Sequence, residues 1–104
     1  MIEQIDTAKV RRESLRWLIL LALYNARPVE LVENVVLVTA QAIYPDATPL
    51  EIRRELDYLS DRKLVEIRKD PAGPWWGNLT RYGTDIAEYT SDCQPGIARP
   101  AKYW

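Results

Sequence analysis

Histidine is absent from this chain of 104 residues, and cysteine occurs once, as Cys93. A zinc site made of cysteine and histidine needs about four such ligands, so this chain cannot supply one. The same shortage removes the Ser-His and Cys-His pairs of nucleophilic catalysis and any disulfide within one chain. We therefore expect no enzyme, no metal and no cofactor. A chain without disulfides fits a reducing compartment, which predicts a cytoplasmic location.

Long apolar runs are also missing. The longest, from Trp17 to Leu23, has seven residues, whereas a bilayer-spanning helix needs about 20, so we expect no membrane association. Lys and Arg number 14 and Asp and Glu 15, which leaves a formal net charge of -1. This balance gives no global attraction to nucleic acid. The composition, 47% hydrophobic and 28% charged, is that of one ordinary globular domain.

Periodicity and stop signals predict four helices and one hairpin in a mainly helical α+β fold. Thr48 is expected to cap the third helix by accepting from the Glu51 amide, while the Glu51 carboxylate returns to the Thr48 amide. Thr80 caps the last helix. The predicted helices are 8–25, 29–43, 49–62 and 80–89, and the predicted strands are 64–69 and 75–79.

The chain after the last helix, residues 90–104, has Pro and Gly but no apolar period. It predicts an extended C-terminal tail after a domain of residues 1–89. The second predicted helix has one apolar face, formed at helical spacing by Leu31, Val35, Val38 and Ala42.

The first helix has more apolar surface than one core face requires. Its second stripe consists of Trp17, Leu20, Leu21 and Tyr24. A helix that is apolar nearly all round is buried on most sides. Two interpretations remain open: a central core helix, or a helix whose extra face forms a homodimer interface. The arginines of this helix, Arg11, Arg12 and Arg16, are expected to form a solvated face.

Two motifs carry a resemblance to a known family. LDYLSDRKLV, from Leu56 to Val65, and LTRYG, from Leu79 to Gly83, are similar to patterns of small bacterial winged helix-turn-helix regulators of the ArsR, MarR and PadR type. The resemblance covers about residues 14–88. The tail from Pro95 to Pro100 also resembles that of small winged-helix proteins of Mu-like phages and prophages.

The resemblance implies three helices, a two-stranded wing, a closing helix and double-stranded DNA as the partner. The third helix would enter the major groove, and the wing would touch the backbone. The family usually has glycine where this chain has Lys63, at a helix end that often needs positive φ. Lys63 must adopt that conformation at some cost or end the helix differently.

Candidate DNA contacts follow from that arrangement. Arg53 and Arg54 lie early on the groove helix, where the forked guanidinium suits guanine. Carboxylates on the same helix, Glu51, Glu55 and Asp57, could equally neutralise them at three- and four-residue spacing. Tyr58 could meet DNA or pack against a neighbour. Basic residues near the aromatic pair of the wing complete the predicted set. They are Arg68, Lys69 and Arg81.

The approach to the groove is acidic. From Pro28 to Ile52 there is no Lys or Arg, although Glu30, Glu33, Asp46 and Glu51 lie there. Because phosphate contacts dominate affinity for DNA, this face favours a second hypothesis, in which the winged helix is a protein-interaction module, for example in phage assembly.

A partner interface would use the apolar side chains that exceed one core's needs. Only one of Trp75 and Trp76 can face the core of a strand, so the other needs a cover. That cover could be a partner, DNA or the chain's own tail. The predicted interface residues are Trp17, Leu20, Leu21, Tyr24, Trp75, Trp76, Tyr103 and Trp104.

Overall fold

The computed structural model describes residues 5–102, and their seven elements follow the winged-helix order. The elements are α1 (Thr7–Ala26), β1 (Leu31–Val32), α2 (Glu33–Gln41), α3 (Pro49–Asp61), β2 (Val65–Lys69), β3 (Trp75–Leu79) and α4 (Arg81–Ala87). The strands form one antiparallel sheet in the order β1-β3-β2. Three helices, a hairpin and a closing helix confirm the predicted fold. The hairpin β2–β3 is the wing.

The second predicted helix, 29–43, is partly wrong. Leu31 and Val32 form a short strand opposite Gly77 and Trp76 of β3, and the helix begins only at Glu33. Val32 is extended, with φ -73° and ψ 145°, and its side chain makes no cap. The valine-rich segment suits helix and strand alike, so backbone pairing with β3 decides the outcome. The sheet therefore has three strands where the sequence predicted two.

The start of α3 confirms half of the predicted capping box. Thr48 Oγ1 accepts from the Glu51 amide at 3.2 Å. The Glu51 carboxylate does not return to Thr48; it accepts from Arg11 Nε and Nη2 at 2.7 and 2.9 Å. Arg11 Nη1 also donates to Asp46 at 2.9 Å. A guanidinium offers stronger charge-assisted bonds than a backbone amide, which explains why Glu51 does not return to Thr48. Because Arg11 binds both Glu51 and Asp46, its predicted place on a solvated face is wrong.

The end of α3 has Lys63 at the position where the family usually has glycine. Lys63 has φ 67°, so of the two alternatives it adopts the left-handed conformation. The Lys63 amide donates to Ser60 O and the Leu64 amide to Leu59 O, each at 3.0 Å. These two bonds satisfy carbonyls that the end of a helix leaves open. Leu59 and Leu64, both fully buried, join beneath the turn.

Lys63→Gly is expected to raise the free energy of unfolding by about 0.5–1 kcal/mol, because glycine enters positive φ without a steric cost but loses more freedom on folding. Denaturant unfolding measures the change. Arg62→Gly, measured against Arg62→Ala so that the lost contact with Tyr58 cancels, is the matched control: Arg62 has φ -94°, so glycine there should destabilise. Equal losses in both variants would contradict the strain assigned to Lys63.

The core settles how α1 uses its second apolar stripe. Trp17 is 8% exposed and Leu20 is fully buried, so both belong to the core of a single chain. The structure thus favours the core-helix interpretation for these two side chains, which the predicted partner interface had included. Leu21 and Tyr24 are half-buried against the same core. The Tyr24 hydroxyl donates to the Glu88 carboxylate at 2.8 Å.

The tail has no regular structure, but it is tied to the domain. Ile97 is 7% exposed and joins the core, and the Ala98 amide donates to Glu13 O at 3.1 Å. The Tyr89 hydroxyl donates to Pro100 O. These contacts place the tail against α1 and α4 rather than over the wing tryptophans. The predicted interface residues Tyr103 and Trp104 lie outside the described residues.

Candidate nucleic-acid interface

The wing brings the predicted cations and aromatics together. Trp75 lies between two positive groups, with the Arg53 guanidinium 4.6 Å and Lys69 Nζ 4.2 Å from its ring centre. The Arg68 guanidinium lies 5.1 Å from the Trp76 ring. Trp75 packs against the core and is half-buried. Arg68 pairs with Trp76 and Lys69 with Trp75 in the strand register, so these two pairs lie on opposite sides of the hairpin. We call the five residues on both sides of the wing, Arg53, Arg68, Lys69, Trp75 and Trp76, the wing face.

Arg53 is held by a carboxylate from α2. Its Nε and Nη2 donate to the Glu33 carboxylate at 2.8 and 2.9 Å, which makes a bidentate pair. Glu33 Oε2 also accepts a hydrogen bond from the Trp75 amide. Hydrogen bonds from Arg53 are the main cause of the lowered pKa of Glu33, and those to Glu33 raise the pKa of Arg53. Glu33 is therefore ionised at neutral pH. Arg53 is neutralised as one hypothesis allowed, but by Glu33 instead of a carboxylate of α3.

The other two cations of the wing face also have acidic partners. Arg68 Nη2 lies 3.2 Å from Glu30, and Lys69 Nζ lies 3.4 Å from Asp57. Both pairs are about half exposed, so each contributes little to stability. A phosphate could displace such carboxylates more easily than it could displace Glu33, which is only 13% exposed.

Arg54 differs from these cations. It is exposed on α3, one turn after Leu50, which is also exposed. Among residues 5–102, no carboxylate lies within ion-pair distance of its guanidinium. The α3 carboxylates that could have neutralised it point elsewhere: Glu51 binds Arg11, and Glu55 binds Arg16. Arg54 is thus a cation of α3 that is free of ion pairs within residues 5–102.

Two predicted contacts lie away from the wing face. The Tyr58 ring is stacked between the guanidinium groups of Arg16 and Arg62, at 3.4 and 3.5 Å, so it packs within the chain. Arg81 begins α4 beyond the far end of β3 from Trp75, about 17 Å along a five-residue strand. Its Nε lies 3.6 Å from Asp85. Neither residue belongs to the wing face.

Arg16 is nearly buried, so its predicted place on a solvated face is wrong. Its Nε donates to Glu55 at 2.7 Å and its Nη1 to Gly96 O at 2.9 Å. Both side chains of the Arg16–Glu55 pair are nearly buried, 11% and 5% exposed. The pair links α1, α3 and the tail, so it holds α3 against α1. No spacing rule could identify partners 39 residues apart.

The remaining chemistry of the described chain is sparse. Burial is the main cause of the raised pKa of the Cys93 thiol, which opposes formation of a reactive thiolate. Within residues 5–102, no group of three or more potential ligands could hold a metal ion. In the same range, no helix combines the length and the apolar character needed to cross a bilayer.

Comparison with known proteins supports the fold. No protein-family model matches the chain, and no curated protein matches its sequence. Among solved structures, a candidate DNA-binding protein of Ralstonia eutropha JMP134 is similar, with a TM-score of 0.63 and 19% identity. That likeness covers 84% of this chain and 98% of the other.

Two regulators are similar over a part of their length. MepR, a transcription regulator of the Staphylococcus aureus multidrug efflux pump MepA, has a TM-score of 0.60 at 21% identity over 72% of this chain. Bacillus subtilis PadR, solved in complex with operator DNA, has a TM-score of 0.57 at 23% identity over 86%. This chain spans about half of each, 52%. At these identities, the comparisons show that the chain has the winged helix-turn-helix fold.

Proposed function

We propose that this chain is a DNA-binding winged-helix transcription regulator whose groove helix is α3. The observation that carries the proposal is the position of Arg54, exposed and without an acidic partner in the described range, on the helix next to a wing of cations and tryptophans. An exposed guanidinium on a groove helix can donate two bonds to guanine. The likeness to PadR, which was solved on operator DNA, supports this use of the fold.

The charges around α3 and the wing predict modest affinity. Of the four cations predicted on α3 and the wing hairpin, Arg53, Arg68 and Lys69 each have a carboxylate partner, and Arg54 has none among residues 5–102. Because affinity for DNA rises with the number of phosphates neutralised, nonspecific binding should be weak. Sequence-specific contacts of Arg54 would then supply a large share of the binding energy.

A salt titration with duplex DNA tests the proposal. The chain should bind random duplex at low salt with an affinity that falls as salt rises, and it should select one sequence from a random pool. Arg54→Ala is expected to weaken binding to that sequence by about 1–3 kcal/mol and to relax its sequence preference.

Arg12→Ala is the matched control, because Arg12 is an exposed arginine on α1. It removes the same charge from a surface outside the groove helix and the wing, so selected-site binding should stay near the wild-type value. If Arg54→Ala and Arg12→Ala behaved alike, α3 would not be the groove helix. The absence of any salt-dependent binding would refute DNA as the partner.

A protein partner is the second candidate function. The observation that favours it is the pairing of three wing-face cations with Glu30, Glu33 and Asp57. Such a surface is nearly neutral and aromatic, which is typical of protein interfaces. This function would be supported if substitution of Trp76 reduced the amount of partner protein captured in a pull-down and substitution of Arg54 did not. The tail resemblance to phage proteins extends either candidate to a phage or prophage setting, and that sequence pattern is its sole support.

A further inference from the structure

The outward face of α3 carries few side chains. Of the 13 residues of this helix, four are exposed: Pro49, Leu50, Arg54 and Asp61. Leu50 and Arg54 are four residues apart, so they are neighbours on one face, about 6 Å from each other along the helix axis. Asp61 lies two turns after Arg54, at the end of the helix. An apolar side chain and a cation therefore share the first half of the outward face.

The fold of the domain uses neither of these two side chains. The side of α3 that enters the core consists of Ile52, Glu55, Leu56 and Leu59. Leu50 is 58% exposed and lies outside that core. Arg54 has no carboxylate partner among residues 5–102, whereas the neighbouring Arg53 is bound to Glu33. Both side chains are thus available to a partner of α3.

The chemistry of the pair selects among partners. A neutral apolar partner would cover Leu50 and leave the charge of Arg54 unpaired, which is costly. An acidic partner would pair with Arg54 and place charge against Leu50. Duplex DNA offers both complements side by side, because guanine O6 and N7 accept two bonds from a guanidinium and the C5-methyl group of thymine accepts an apolar contact. All three groups are displayed in the major groove, and none of them in the minor groove.

The second half of the outward face confines base contacts to the first half. Asp57 is half exposed and pairs with Lys69, and Asp61 is exposed. Carboxylates at these positions oppose a close approach to phosphates. In helix-turn-helix proteins the N-terminal residues of the groove helix are those that contact base edges. Leu50 and Arg54 occupy that end of α3.

We propose that Leu50 and Arg54 together read a thymine and a guanine in the major groove, with Leu50 against the thymine methyl group and Arg54 on guanine O6 and N7. Successive bases of one strand are about 3.4 Å apart, so 6 Å along α3 corresponds to about two base pairs. The two bases should therefore lie within about two base pairs of each other. The inference rests on the proposed function, because it takes α3 as the groove helix, and it adds Leu50 as a residue that determines specificity.

Replacing thymine by deoxyuridine tests the contact, because deoxyuridine lacks only the C5-methyl group. The probe is the duplex that the chain selects from a random pool, with each thymine replaced in turn. For the wild-type chain, one replacement close to the guanine should weaken binding about 3- to 5-fold, the loss expected for one methyl group left unburied. Leu50→Ala should bind the thymine and deoxyuridine duplexes equally well. Its unfolding temperature should match the wild-type value, because Leu50 is largely exposed.

Two control variants make the test specific to Leu50. Arg54→Ala should lose the preference for guanine, which identifies that base, and should still distinguish thymine from deoxyuridine. Val10→Ala shortens an apolar side chain that is 52% exposed on α1, and it should respond to deoxyuridine as the wild-type chain does.

The outcomes separate this inference from the proposed function. Loss of the thymine effect in Leu50→Ala, with the effect kept in both controls, would support the reading by Leu50. Specific binding with no thymine within about two base pairs of that guanine would overturn it, as would an equal deoxyuridine effect in Leu50→Ala and wild type. DNA binding itself would stand in both cases. A chain that binds no duplex at low salt would refute the proposed function, and this inference with it.

Discussion

Gly83→Ala is expected to lower the free energy of unfolding by about 3 kcal/mol, since the new methyl group has no room. A Cβ at this position would lie 2.1 Å from the Leu64 carbonyl oxygen. That oxygen is fixed, because it accepts from the Thr80 amide at 3.1 Å. The helix is fixed as well: the Gly83 amide donates to Thr80 Oγ1, whose hydroxyl donates to Lys63 O at 2.6 Å. Neither the Leu64 carbonyl nor the first turn of α4 can move away without breaking these hydrogen bonds.

Thermal and denaturant unfolding of the variant measure this loss, and Gly73→Ala is the matched control. Gly73 lies in the wing turn, where the nearest atoms to a new Cβ are 3.8 Å away on the flexible Asp70 side chain. Alanine there should leave stability nearly unchanged. A Gly83→Ala protein as stable as the Gly73→Ala protein would mean that α4 does not pack this closely on the start of β2.

The same contact explains why the LTRYG motif could be recognised from the sequence. Thr80 caps α4 by accepting from the Gly83 amide, and a side chain at position 83 would meet Leu64, so two requirements fix residues three positions apart. The third helix was predicted within one residue for a similar reason: Thr48 and Pro49 mark its start, and Lys63 its end. Elements whose ends depend on nearby residues can be located from sequence alone.

The features that were predicted incorrectly depend on distant residues. β1 exists because Leu31 and Val32 meet β3, about 45 residues later in the chain. The partner of Arg53 is Glu33 of another helix, and no spacing within α3 indicates that pair. The exposure of Val38 likewise follows from how α2 sits on α1 and α3. Apolar periodicity identified the face of Leu31, Val35, Val38 and Ala42 but could not show whether the core or solvent would meet it.

Neutralising the three carboxylates that hold the wing-face cations is expected to raise affinity for duplex DNA by about 10- to 100-fold at low salt. The combined variant carries Glu30→Gln, Glu33→Gln and Asp57→Asn. It frees Arg53, Arg68 and Lys69 from their ion pairs, so each can neutralise a phosphate. The slope of log affinity against log salt should steepen by up to about 3, at roughly 0.9 per added phosphate contact.

The substitutions should preserve the fold of the wing. Glutamine at position 33 keeps a carbonyl oxygen that can accept from the Trp75 amide, which Glu33 now binds. The pairs of Glu30 and Asp57 are exposed and contribute little to stability. Unfolding measured beside the DNA titration separates a loss of structure from a change in binding.

A second variant with the same change in net charge makes the experiment specific to the wing face. Glu13→Gln, Glu88→Gln and Asp92→Asn remove three carboxylates from α1, from the end of α4 and from the tail. If only the net charge of the molecule affected DNA binding, both variants would gain affinity equally. A gain confined to the wing-face variant would place Arg53, Arg68 and Lys69 against the phosphates. Equal gains, or none, would mean that these cations do not face DNA, and the nearly neutral aromatic wing would then be better explained by a protein partner.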